Sequence, residues 1–101
     1  MHRDESYNAS MEKNEKKLFA IMDELAQLAR ATDQLGHELS IHEHLHDDAR
    51  RDALVSDNPF DREDARITRQ DVERMRREIL RLEKRSAKLD AKREELLSKL
   101  D

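Results

Sequence analysis

The chain has no cysteine and no tryptophan, and among its 101 residues only one glycine, one proline, one tyrosine and two phenylalanines. Without cysteine there is no disulfide, no thiolate metal site and no cysteine nucleophile. A single glycine rules out a glycine-rich phosphate loop and leaves little turn chemistry. Few turns and 3% aromatic residues argue against a sheet. No window approaches the ~18 apolar residues of a membrane span. Met1-His2-Arg3-Asp4-Glu5 lacks an apolar signal core, so a cytoplasmic protein is expected.

Charged residues instead make up 44% of the chain and hydrophobic ones 36%. This composition fits long helices, and it also fits a disordered chain. Periodicity separates the two. With position a of a heptad at Met11, the a residues are Met11, Leu18, Leu25, Thr32, Leu39, His46 and Ala53. The d residues are Asn14, Ile21, Leu28, Leu35, His42 and Ala49. An apolar seam in constant phase marks a helix that packs on another helix. Adding the e residues Met22 and Ala29 widens the stripe beyond what one partner helix would cover. The phase continues across Gly36, which predicts one helix despite the cost of a helical glycine. Ala29 and Gly36 would also let a neighbour approach closely.

A second seam has a residues Val72, Ile79, Ser86, Arg93 and Leu100 and d residues Met75, Leu82, Leu89 and Leu96. Thr68-Arg69-Gln70-Asp71 resembles a capping box, with Ile67 and Val72 at the staple positions. Asn58-Pro59 reads as N-cap and N1 of a short turn, with Asp61 at N3. Residues 1–50 hold 6 basic and 11 acidic side chains, net −5, whereas residues 51–101 hold 14 and 13, net +1. Opposite halves favour folding back.

The expected fold is all-α. A disordered N-terminus, residues 1–8, precedes a single helical-hairpin domain, residues 9–101. Within it a helix of about 9–54, a connection at 55–67 and a helix of about 68–100 pack antiparallel. A two-helix core is thin for so small a chain, so two hairpins are expected to assemble into a homodimeric four-helix bundle. The expected oligomer seam is Leu18, Ile21, Leu25, Leu28, Leu35, Leu39, Val72, Met75, Ile79, Leu82, Leu89 and Leu96.

Two stretches suggest chemistry. His42-Glu43-His44-Leu45-His46 contains His-Glu-x-x-His, the pattern in which two histidines one helical turn apart bind zinc and the glutamate acts as base. It also contains Glu43-x-x-His46, the ligand pair of di-iron bundles. A zinc protease needs a third ligand and a cleft that this chain does not supply. A di-iron centre needs inward glutamates that the second seam lacks. Both histidines lie on the seam, where polar residues set register. His42, Glu43 and His46 are thus the candidate ligands for zinc, nickel or iron, with no catalytic set.

The second stretch, residues 74–93, holds nine basic and three acidic side chains. Arg74, Arg77, Arg81, Lys84, Arg85 and Lys88 are the candidate nucleic-acid contacts. Basic residues surround the helix rather than forming one stripe, and no aromatic is available for base stacking. The expected function is therefore a non-enzymatic interaction protein (adaptor, regulator or scaffold) whose partners are itself and another protein. A metal-binding bundle and a nucleic-acid-associated regulator are the alternatives.

Overall fold

The computed structural model describes the backbone of residues 2–100 and the side chains of residues 9–100. It consists of two long helices in a hairpin: α1, His2–Ser56, and α2, Pro59–Leu100. The helices run through two compact units, Met1–Arg30 with Glu83–Asp101, and Ala31–Leu82.

The connection is much shorter than the expected 55–67: only Asp57 and Asn58 lie between the helices. Asp57 takes a left-handed backbone, φ 49°, which ends α1 where glycine is the usual residue. Aspartate tolerates this conformation better than most side chains. Its carboxylate also accepts a bond from Arg62 Nη1 at 2.6 Å. Asn58 then starts α2. Its Oδ1 accepts the Phe60 amide at 2.9 Å, and its carbonyl accepts the Arg62 amide at 3.0 Å. Pro59 follows as N1, where its missing N–H costs nothing.

Asn58-Pro59 therefore caps the whole second helix, and Thr68 lies inside it. The Thr68 hydroxyl is within bonding reach of its own helix carbonyls, Asp64 at 2.9 Å and Ala65 at 3.1 Å. That is the way a mid-helix threonine satisfies itself. Ile67 is 43% exposed and makes no staple. At the other end, α1 starts at His2 rather than near residue 9. The expectation for residues 1–8 otherwise concerns Met1 and side chains outside the described residues.

Every a and d position from Met11 to Ala53 is half-buried or buried, and so is every corresponding position from Asp61 to Leu100. α1 continues through Gly36 without interruption. In the second unit a hydrogen bond of 3.0 Å joins His46 Nδ1 to Thr68 Oγ1 and sets the register. Stepping by heptads from that pair aligns Leu39 with Met75 and Thr32 with Leu82. His42 with Val72 and Leu35 with Ile79 fill the intervening layers. The buried core is Val72 and Leu82 in this unit, and Leu18, Leu89 and Leu96 in the first.

The charge asymmetry between the halves also appears between the helices. Arg85 Nη2 donates to both oxygens of Glu24, at 3.1 and 2.9 Å, in the first unit. Arg76 lies 3.6 Å from Glu43 in the second. Both pairs are substantially exposed, so each contributes at most about 1 kcal/mol.

Candidate functional site

The twelve residues expected to form an oligomer seam all lie on the facing sides of α1 and α2 of one chain. Each is half-buried or buried there without a second copy. The seam is thus used within the hairpin.

The e residues expected to widen the seam are left uncovered: Met22 is 47% exposed, and Ala29 and Gly36 are exposed. A β-carbon added at Gly36 would meet nothing within 4 Å, so no neighbour within the chain exploits its small size. A single opposing helix covers a and d and leaves most of e open.

His42 and His46 are half-buried on the seam, and Glu43 is half-buried at its edge. Thr68 Oγ1 is within bonding distance of His46 Nδ1 at 3.0 Å and of the Asp64 and Ala65 carbonyls at 2.9 and 3.1 Å. With the hydroxyl proton on a carbonyl, His46 donates from Nδ1 and Nε2 is its lone-pair nitrogen. Glu43 lies 3.6 Å from Arg76 on the opposite helix. Among the described residues, no three or more histidine, aspartate and glutamate side chains gather where they could hold a metal ion.

The basic residues are more ordered than their spacing suggested. Arg74 and Arg81 occupy c, and Arg77 occupies f, on the outer face of α2 in the second unit. Lys84 at f and Lys88 at c lie on the outer face of α2 in the first unit. Half of the six candidates are already ion-paired: Arg74 with Asp71 at 3.1 Å, Arg81 with Glu78, and Arg85 with Glu24. The Arg81 Nε bond to Glu78, 2.9 Å, holds that carboxyl below the usual carboxylate range, and Arg66 does the same for Glu63.

The first unit also has an open groove on the Glu24–Arg85 side of its seam. Its floor is Ile21, Leu89 and Leu96, and Lys17, Lys92 and Lys99 stand at its margins. Comparison with protein-family models, curated proteins and solved structures finds no match. The surface itself therefore has to carry the functional reading.

Among the described residues ten large hydrophobic side chains are exposed, five are buried and the rest of the seam is half-buried. Leu54, Val55 and Phe60 cluster in sequence around the connection, and Phe19 and Met22 lie on α1 in the first unit. Phe19 is the residue that reading the main heptad overlooked, because b is normally a solvent position. Its signal is the interval to Met22, Ala26 and Ala29, which repeats the three-and-four spacing of a seam.

Proposed function

We propose that this chain is a non-enzymatic helical interaction protein, an adaptor, regulator or scaffold, that works by self-association and partner binding. The assembly proposed is a homodimer in which two hairpins form a four-helix bundle. One observation supports it above the others: among the described residues ten large apolar side chains are exposed, several of them grouped around the connection and on α1 in the first unit. Single exposed apolar residues are ordinary, but grouped ones mark contact surfaces. A two-helix layer also has too thin a core to be the usual end point of folding for a chain of this size.

Light scattering and sedimentation of the full chain at micromolar concentration test this. A dimer or larger species is expected, with a melting temperature that rises with protein concentration. A folded monomer whose melting temperature is independent of concentration overturns the proposal.

A further inference from the structure

The first unit carries a second stripe on α1. Phe19, Met22, Ala26 and Ala29 succeed one another at intervals of three, four and three residues. They occupy b and e of the main heptad, about 100° around the helix from the hairpin seam. All four are exposed, Phe19 at 61%. Glu24 and Arg85, both at g, meet on one side of the seam, so the e residues Met22 and Leu97 share the other. Leu97 is 40% exposed and extends the apolar surface.

We propose that this stripe docks on the same stripe of a second copy, antiparallel, with the two-fold axis between Met22 and Ala26. This names the surface for the self-association proposed above and rests on that reading. The arrangement places Phe19 on the partner's Ala29 and Met22 on the partner's Ala26. Large residues then meet small ones in every layer, and the helices can approach closely.

Charge supports a second copy as the occupant. In the second unit His42 and Val72 share a seam layer, and the ion pair beside it joins Glu43, one residue after His42, to Arg76, four after Val72. The same offsets from Met22 and the partner's Ala26 lead to Asp23 and the partner's Arg30. Two-fold symmetry repeats the pair, Arg30 with the partner's Asp23, as an isologous interface requires. Asp23 and Arg30 are exposed, and among the described residues neither has an ion-pair partner. The register is also guarded. A slip of one heptad opposes Met22 to the partner's Asp33 in one direction and Ala26 to the partner's Glu15 in the other. Either would put a carboxylate against an apolar side chain.

The experiment is sedimentation equilibrium of the full-length chain at low salt, with circular dichroism to monitor helicity. Wild type should dimerise. Asp23→Arg alone and Arg30→Asp alone should each raise the dimer dissociation constant about tenfold or more, since two attractive pairs become repulsive. An equimolar mixture of these two variants should recover a dimer, because every cross pair is then attractive. The double variant should recover one for the same reason. Ala26→Glu, at a site exposed in the hairpin, should dissociate the dimer with helicity retained. A dimeric wild type that none of these variants weakens overturns this surface and leaves self-association standing. Weakening by one charge reversal without recovery in the mixture overturns the two-fold arrangement. A wild type that is monomeric throughout overturns both this surface and the proposed function.

Discussion

Replacing Gly36 with alanine is expected to stabilise the protein. Gly36 lies inside a continuous 55-residue helix. There a glycine costs roughly 0.8–1.0 kcal/mol relative to alanine, through backbone entropy. Two structural terms would change that figure, and both are absent. The new β-carbon meets nothing within 4 Å, so there is no clash to subtract and no packing to add. The glycine also has no positive φ, so alanine enters without backbone strain. The gain should therefore be close to 1 kcal/mol, equivalent to about 4–8 °C in melting temperature for a domain near 100 residues. Urea titration followed by far-ultraviolet circular dichroism, at one fixed protein concentration, measures it. The midpoint should rise while its slope stays constant. An unchanged or lowered midpoint would refute the reasoning, because it requires either a non-helical backbone at Gly36 or a neighbour pressed against it.

Asn58→Ala removes the side chain that accepts the Phe60 amide, and the same titration should show a loss of about 1 kcal/mol. Leu89→Ala, at a site 4% exposed, should cost about 2–4 kcal/mol, whereas Leu54→Ala, at a site 78% exposed, should change stability by less than about 0.5 kcal/mol. Similar losses at both sites would remove the distinction between seam and surface. Glu63 and Glu78 titrate below their ordinary value of 4.5 because Arg66 and Arg81 hydrogen-bond their charged forms. Their contribution is present above that value and is lost as pH falls through the lowered one. Thermal melts from pH 6 to pH 3 should therefore show a smaller loss in Glu63→Gln/Glu78→Gln than in wild type, and high salt should shrink the difference.

The heptad phase made most of the hairpin legible before any coordinates. It identified the facing sides of both helices and carried α1 correctly through Gly36, because a glycine without a cap or a phase break is only a local cost. The connection was misplaced because two starting signals compete, Asn58-Pro59 and Thr68-Arg69-Gln70-Asp71. Proline at N1 behind an asparagine cap prevails. Threonine within a helix can satisfy its hydroxyl on a preceding carbonyl and need not stop anything. The widened stripe was legible as one that a single helix would not cover. Met22 and Ala29 are as apolar as seam residues, but a single opposing helix leaves them open, and only Phe19 shows that they belong to a second stripe. Cross-helix pairs such as Glu24–Arg85 were beyond sequence reading because they depend on register. A two-residue connection fixes that register, and the length of the connection was the quantity misjudged.

The His46–Thr68 pair offers a test that separates packing from metal binding, because its two ends are satisfied unequally. Thr68 retains a helix carbonyl as acceptor if the histidine is removed. His46 has no second partner for Nδ1 if the threonine hydroxyl is removed. Thr68→Val should therefore cost about 1 kcal/mol, the low end for an orphaned polar group, since the ring is only half-buried. His46→Leu should be neutral or stabilising, because an apolar side chain replaces a polar one on the seam between Leu39 and Ala53 and leaves no orphan behind. Once His46 is leucine, adding Thr68→Val should cost nothing further, so the double-mutant cycle should show a favourable coupling of about 1 kcal/mol in wild type. Chemical denaturation of the four proteins in the presence of a chelator measures it. If His46→Leu is instead the costlier single change, the ring must supply something besides its Nδ1 bond. Repeating the titrations with zinc then identifies it. Stabilisation of wild type and Thr68→Val by the ion, but not of His46→Leu, would show that Nε2 is a ligand and would reject packing as the whole role of that histidine.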